Sequence, residues 1–267
     1  SHMNSFDSDG FTVSVASSNR TNASSNNYVA WNWLAGSSTS TNGDGSVSST
    51  VSVNTTAGFS IATFTDIATG GDRSFGHGLG KTPTMVIVRR RDPGDFWWVW
   101  HTGLSHATDR YLKLNDTTAE VTASGTWGGG ITSSVVGLRG SSFSSGTSAT
   151  FVAYSFTDIE GYCKAGSFEG NSSSQNFVYT GFRPSWLLIK NIDGAYNWML
   201  VDSVREPFND GAVNNFLRPN LNLGESTAGK IDLVSNGFVL RDNSSDTNAS
   251  ATFIYLAFAD QPFKFSN

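Results

Sequence analysis

The sequence contains an internal duplication with an offset of 101 to 102 residues, which constrains the fold more than any other feature. An apolar run that begins at Pro83 recurs at Pro184, and an alternation of aromatic and small residues that begins at Phe151 recurs at Phe253. The two features are 68 positions apart in the first copy and 69 in the second. Near-equal spacing over such a distance indicates two tandem units of the same design.

A third, partial copy precedes these two units. Segments at 8–13 and 28–33 match only the last two strands of a repeat. The stretch from Gly36 to Gly45 consists of Gly, Ser, Thr, Asn and Asp, which is typical of a flexible connection. We therefore predict a closing β-hairpin at 4–35 that packs on the next domain, a Gly/Ser/Thr-rich linker at 36–57, and β-sandwich repeats at 58–160 and 161–267. Alternatively, the hairpin is the remnant of a truncated domain.

The local pattern within each repeat favours β-structure. Short runs rich in Val, Ile, Phe, Tyr and Trp alternate with polar turns, and only 15% of the residues are charged. The best helical pattern, at 207–217, is short and is interrupted by Gly211. We predict an all-β fold of tandem antiparallel β-sandwich domains, jelly-roll-like, with little helix.

Charge and cysteine content exclude several classes of function. A net charge of −5 and a pI near 5.3 argue against nucleic acid as a partner. The one basic cluster, Arg89 to Arg91, is interpreted as a strand end that runs into a turn at Asp92. Cys163 is the only cysteine, so an intrachain disulfide or a cysteine metal cage is excluded. No run of eighteen apolar residues occurs, and we expect no membrane association.

Residues that would suit catalysis occur in the first repeat without counterparts in the second. His101, His106 and Asp109 would suit a metal or acid–base site, but the matching segment of the second repeat has no histidine. The Gly-rich turn at 76–82 departs from the phosphate-loop spacing and precedes an apolar strand pattern. The oxygen-rich loop at 242–248 lacks the glycine and the final glutamate of a calcium loop. We predict no catalytic residue, no metal and no cofactor.

Aromatic residues beside short polar ones are the strongest indication of a binding site. Sugars stack their apolar faces on aromatic rings, and their hydroxyls exchange hydrogen bonds with polar side chains. Three closely spaced tryptophans place indole rings on both faces of one strand, and a fourth lies in a glycine-rich loop. The candidate ligand-binding residues are Trp97, Trp98, Trp100, Trp127, Arg91 and Asp95.

Five segments carry a family resemblance, at 28–33, 54–64, 76–91, 177–184 and 255–264. They resemble repeats in marine bacteriophage virion proteins of the tail-fibre-like type, and the resemblance covers most of residues 10–264. It implies an extracellular virion component, in a tail or fibre, that contacts other virion proteins and a host-surface glycan or protein. It also implies a homo-oligomer, with a trimer favoured, and it transfers no catalytic residue to this chain.

Three functional hypotheses follow. The leading one is a noncatalytic phage virion module that binds a host surface receptor, a glycan, through loop aromatics. The first alternative is a purely architectural spacer or decoration protein whose aromatic side chains all lie in the core. The second alternative is a polysaccharide depolymerase.

Overall fold

The computed structural model of the chain describes residues 3–14, 21–66, 70–92, 96–139, 143, 148–206, 209, 215–227 and 231–260. The chain divides into two compact units, Ser1–Trp33 and Leu34–Asn267. Within the described residues, helical backbone occurs only at Phe143. The fold is all-β, with several antiparallel sheets of the sandwich type, which confirms the predicted fold class.

The strands up to the end of the first repeat are β1 (Met3–Asp7), β2 (Gly10–Val13), β3 (Ser40–Asn42), β4 (Ser49–Asn54), β5 (Phe59–Asp66), β6 (Asp72–Gly76), β7 (Met85–Arg90), β8 (Trp97–His101), β9 (Arg110–Lys113), β10 (Val121–Thr122), β11 (Val135–Arg139) and β12 (Ala149–Phe156). Those of the second repeat are β13 (Cys163–Glu169), β14 (Asn176–Tyr179), β15 (Trp186–Asn191), β16 (Met199–Asp202), β17 (Asn215–Phe216), β18 (Ser226–Thr227), β19 (Ile231–Val234), β20 (Gly237–Leu240) and β21 (Thr252–Phe258).

The two repeats share one pairing order. In the first, an eight-stranded sheet has the order β10-β9-β8-β7-β12-β5-β4-β3, and β11 pairs with β6 in a second sheet. In the second, the main sheets are β13-β21-β15-β16 and β14-β20-β19, and β17 pairs with β18. The closing strand, β12 or β21, lies between the first and third strands of its repeat in both cases. This agreement supports the duplication inferred from the sequence.

The same phenylalanine pair lies between the sheets of each repeat. Phe64 and Phe151 face each other across β5 and β12, with stacked rings whose centroids are 5.1 Å apart. Phe168 and Phe253 occupy the same place across β13 and β21, also at 5.1 Å. In the first repeat, Phe75 of the smaller sheet stacks on Phe64 at 4.4 Å. The inward-facing aromatic positions of the predicted alternation therefore form the core of each sandwich.

The segment predicted as a linker, 36–57, contributes to the large sheet instead. Its residues Ser49–Asn54 form β4, which pairs with β5 along its whole length, and β3 pairs with β4. The alternation of Ser and Thr with Val51 and Val53 is a strand pattern, and Val51 is buried. The abundance of Ser and Thr obscured that pattern, because both residues also suit loops.

The first unit also differs from the predicted hairpin. Its strands are β1 and β2, which are joined through a turn at Ser8 and Asp9. Residues 28–33, predicted to form the second strand, have no regular secondary structure. Every residue of β1 is exposed, so the short-range turn between Asp7 and Gly10, rather than burial, determines the pairing observed here.

The main sheets of the two repeats pack on each other through their outer faces. Phe156 of β12 meets Phe258 of β21 edge to face, at 5.7 Å between ring centroids. The indole nitrogen of Trp198 donates a hydrogen bond of 2.9 Å to the carbonyl of Lys113. These contacts bury the outer face of β21, which explains why both of its faces consist of apolar residues.

Candidate ligand-binding face

The outer face of the eight-stranded sheet is covered by the second repeat along only part of its area. Strand register places one row of side chains across it, formed by Thr50, Thr63, Val152, Arg89 and Trp97. The neighbouring rows on the same face contribute Thr65 with Thr150, and Tyr154, which lies two residues beyond Val152 on β12. We call the exposed and half-buried part of this surface the open face: Thr50, Thr63, Thr65, Arg89, Arg91, Trp97, Thr150, Val152 and Tyr154.

The limit of the open face is the contact with the second repeat. Val99 and Leu112 continue the Tyr154 row across β8 and β9, and both are completely buried. Beyond them, Trp198 of the second repeat binds the backbone of Lys113. Apolar residues therefore occupy the covered part of the face, and threonine, arginine and aromatic residues, together with the half-buried Val152, occupy the uncovered part.

Two aromatic rings and one guanidinium form the centre of the open face. The rings of Trp97 and Tyr154 are stacked with 17° between their planes and 6.3 Å between their centroids. The Arg89 guanidinium carbon lies 4.8 Å from the centre of the Trp97 ring, within cation–π range. Burial raises the pKa of Tyr154, so its phenol is protonated at neutral pH and acts as a hydrogen-bond donor as well as an acceptor.

A shallow cavity of about 360 Å³ lies on the same face, at its β4 and β5 side, and the two rings are not among its lining residues. Its polar lining consists of the side chains of Ser48, Thr50, Thr63, Thr65, Thr150 and Arg91. The volume lies within the range of about 300–1,000 Å³ that is common for small-ligand pockets. Hydroxyls both donate and accept hydrogen bonds, whereas a guanidinium only donates. The cavity therefore suits a ligand with several oxygen atoms.

The strand end that carries Arg91 is fixed by Asp92. The backbone N–H of Thr150 donates to one oxygen of the Asp92 carboxylate at 3.2 Å, and the Thr150 hydroxyl donates to the other at 3.3 Å. The hydrogen bond from the Thr150 backbone N–H is the main cause of the lowered pKa of Asp92. The hydrogen bond from Arg90 lowers this pKa further. Arg91 itself donates its N–H to the Thr150 carbonyl at 2.7 Å.

Of the six residues predicted to bind a ligand, Trp97 and Arg91 lie on the open face. Trp98, Trp100 and Trp127 are buried, which corrects the prediction for these three. The indole nitrogens of Trp100 and Trp127 each donate a 2.8 Å hydrogen bond to a backbone carbonyl, of Ala107 and Arg110 respectively. Asp95 lies outside the described residues.

Packing explains why the buried tryptophans are part of the core. Trp98 packs against Tyr111 and Phe143 with centroid distances of 4.5 and 4.8 Å, and Trp127 contacts the same phenylalanine at 5.3 Å. Of the glycines beside Trp127 that suggested an exposed loop, Gly128 permits close packing. An added Cβ at Gly128 would overlap the Asp72 side chain.

Arg89, Tyr154 and the threonines of the open face were missed as candidates. Strand parity was the available signal, because residues two apart on one strand share a face. Val152 and Tyr154 alternate with the buried Phe151 and Ala153, so they point away from the core. The sequence does not reveal that β4, β5, β7 and β8 bring their outward residues to the same surface.

The predicted alternative of a site with His101, His106 and Asp109 is not assembled. His101 is buried, with its Nδ1 accepting from the Gly103 N–H at 2.9 Å and its Nε2 3.0 Å from the Tyr255 carbonyl oxygen. His106 is exposed and lies 3.5 Å from the Asp109 carboxylate. The first histidine thus binds the second repeat, while the other two residues lie at the surface.

The acidic side chains of the oxygen-rich loop at 242–248 accept hydrogen bonds from other groups of the protein. Asp242 accepts a hydrogen bond of 2.7 Å from the Thr247 hydroxyl, and Asp246 accepts one of 2.9 Å from the Asn197 N–H. In the part of the chain that the structure describes, no group of three or more His, Cys, Asp or Glu side chains is placed to hold a metal ion. No helix within that part is long and apolar enough to cross a membrane.

Comparisons with known proteins identify a family but no relative of established activity. Neither the curated proteins nor the solved structures include a match to the chain. A family model described as a domain of unknown function, DUF7483, matches residues 1–262. The match spans both compact units and every strand described above. The chain therefore belongs to the DUF7483 family.

Proposed function

We propose that this protein is a noncatalytic phage virion module, in a tail or fibre outside the cell, that binds a glycan on the host surface through the open face. The observation that carries the proposal is the stacked pair of Trp97 and Tyr154 on the same sheet face as a cavity lined by threonines. The phage setting, the contacts with other virion proteins and a homo-oligomeric, trimeric assembly rest on the sequence resemblance to tail-fibre-like repeats.

The composition of the open face suits a sugar. Half-buried aromatic rings provide apolar surface against the C–H groups of a pyranose, and threonine hydroxyls exchange hydrogen bonds with its hydroxyls. The threonines project from paired strands, so their positions are fixed by the sheet rather than by a loop. Binding to such a surface requires little ordering of the protein, which favours affinity.

Glycan-array and host-cell binding of the intact chain test the proposal. We expect binding that Trp97→Ala and Tyr154→Ala each weaken by about tenfold or more, because each removes one ring of the stack. Tyr179→Ala is the matched control, since this tyrosine is 58% exposed in the second repeat and lies outside the open face. Absence of binding to every glycan and host surface would exclude the receptor-binding proposal. Release of reducing ends from a bound polysaccharide would favour a depolymerase instead.

A purely architectural role is the second candidate. The burial of Trp98, Trp100 and Trp127 favours it, because three of the four predicted tryptophans serve the core. An architectural module would tolerate Trp97→Ala and Tyr154→Ala without loss of any binding. Virion assembly with these two variants separates the candidates, since an assembled virion that no longer attaches to host cells supports the binding function.

A further inference from the structure

We propose that the open face binds a linear glycan over several consecutive sugar units, and that the glycan lies across the strands along one row of side chains. The inference rests on the proposed function and specifies its ligand class. It starts from the separation of two groups of residues on the open face. These are the aromatic pair of Trp97 and Tyr154 and the threonines that line the cavity.

The row that joins the two groups follows from strand register. Trp97 on β8 is opposite Arg89 on β7, which is opposite Val152 on β12. The row continues through Thr63 on β5 to Thr50 on β4. Neighbouring strands lie about 4.8 Å apart, so the four strand intervals between Trp97 and Thr50 amount to about 19 Å. Every residue of the row is exposed or half-buried.

The threonine end of the row continues past the open face to the edge of the sheet. Thr41 on the edge strand β3 is opposite Thr50 and is exposed. Together with Thr63, these residues place hydroxyl groups on three adjacent strands. Each hydroxyl both donates and accepts hydrogen bonds, as the hydroxyls of a sugar do. The row therefore has aromatic rings at one end and a line of hydroxyls at the other.

One sugar unit cannot contact both ends of this row. A pyranose is similar in size to the six-membered ring of Tyr154, whereas the row crosses five strands of the open face. The rings of Trp97 and Tyr154 are not part of the cavity lining, so a unit that binds the rings leaves the threonines accessible to other units. Successive units of one glycan add contacts without a second loss of translational freedom. The two groups therefore combine into one site when the ligand is a chain.

The twist of the sheet favours a single flexible glycan over a flat surface as the ligand. Adjacent strands rotate by about 20–25° relative to each other. The outward direction of the side chains therefore changes gradually along the row from Trp97 to Thr50. A glycan can follow this change by rotation about its glycosidic linkages. The planar face of a crystalline polysaccharide would contact only part of the row.

The test compares short and long ligands of the same sugar. The probes are linear oligosaccharides of glucose, mannose, galactose and N-acetylglucosamine, each titrated into the intact chain as the disaccharide and as the hexasaccharide. The affinity is corrected for the number of equivalent binding positions along the longer ligand. We expect it to increase by about tenfold or more from disaccharide to hexasaccharide, because the longer ligand adds hydrogen bonds to Thr63 and Thr50.

Substitutions at the two ends of the row locate the additional contacts. Thr63→Val and Thr50→Val each remove one hydroxyl, and each should weaken hexasaccharide binding by about two- to tenfold while leaving disaccharide binding unchanged. Tyr154→Ala should weaken the binding of both ligands, because the disaccharide binds at the rings. Thr227→Val is the matched control, since Thr227 is an exposed strand residue of the second repeat. It should change neither affinity.

Several outcomes would overturn the inference. Equal corrected affinities for disaccharide and hexasaccharide would indicate a site for one or two sugars and leave glycan binding in place. An unchanged hexasaccharide affinity in Thr63→Val and Thr50→Val would place the added contacts elsewhere. Binding to an insoluble, crystalline polysaccharide but not to its hexasaccharide would indicate recognition of a flat surface. Binding of no hexasaccharide would also reject the inference, and the glycan array and host-cell assay then decide whether the proposed function falls with it.

Discussion

The Nε2 atom of His101 lies 3.0 Å from the backbone carbonyl oxygen of Tyr255, and this hydrogen bond joins the two repeats in a buried position. The Gly103 N–H donates to Nδ1 of the same ring at 2.9 Å. Nε2 must therefore carry the proton that Tyr255 accepts, and the imidazole is neutral. A proton added at Nδ1 would face the Gly103 N–H.

Acid should destabilise the protein through this histidine. Burial lowers the pKa of His101 from 6.5 to about 4, so the unfolded chain binds the proton more readily than the folded one. The stability that the neutral imidazole contributes is fully present above the pKa of His101 in the unfolded chain. It is lost as the pH falls from 6.5 towards about 4. Between pH 7 and pH 5 we expect a loss of about 2 kcal/mol in the free energy of unfolding, measured by urea denaturation.

His101→Gln is the control for this pH dependence, because glutamine does not titrate. Burial also lowers the pKa of His77, and its contribution remains in the variant. The difference between the two proteins therefore isolates His101. Parallel pH profiles for both proteins would contradict the assignment.

Trp127 should contribute to stability and not to ligand binding. Trp127→Ala removes a fully buried indole, and we expect a loss of about 3–5 kcal/mol in the free energy of unfolding. Trp127→Phe fills most of the space but leaves the Arg110 carbonyl without its 2.8 Å donor, at a cost of about 1–3 kcal/mol. Denaturation of both variants measures the losses, and unchanged glycan binding by the folded Phe variant is expected. A selective loss of binding at unchanged stability would contradict the core assignment.

Gly45 should be required for the close approach of its segment to β6. An added Cβ would overlap the Ser74 carbonyl, which accepts a 2.9 Å hydrogen bond from the Val47 N–H. We expect Gly45→Ala to increase hydrogen exchange at the Val47 amide by about tenfold or more while the core of the sheet stays protected. Gly43→Ala is the control, because nothing lies within 4 Å of its added Cβ. Unchanged protection at Val47 in Gly45→Ala would show that the segment adapts without detaching.

The repeat made much of the strand framework predictable. Matching positions such as Phe151 and Phe253 lie on strands that hold the same place in the pairing order. Their burial was predictable because aromatic and small residues alternate along a single strand, which places the aromatic residues on one face. The strands at β4 and in the first unit were not predictable in this way. Ser49–Asn54 has the composition of a loop but pairs with β5, and residues 28–33 have the composition of a strand but form none.

The candidate site was predictable only in part. Trp97 and Arg91 were identified because aromatic and basic residues are the groups that bind polar ligands. Trp98, Trp100 and Trp127 were included for the same reason. The local sequence does not show which face of a sheet is buried by the rest of the protein. Tyr154 was missed because its partner, Trp97, lies 57 positions away in sequence and two strands away in the sheet.

The sequence by itself determined that this chain is all-β, duplicated and punctuated by polar turns, because those properties depend on side-chain alternation and turn residues over a few positions. Only the tertiary structure decided which outward faces are buried. The second repeat covers the part of the large sheet around Val99 and leaves the part around Trp97 open. That outcome depends on how two sheets distant in sequence pack, since burial of apolar surface depends on the area removed from water and not on the order of residues along the chain.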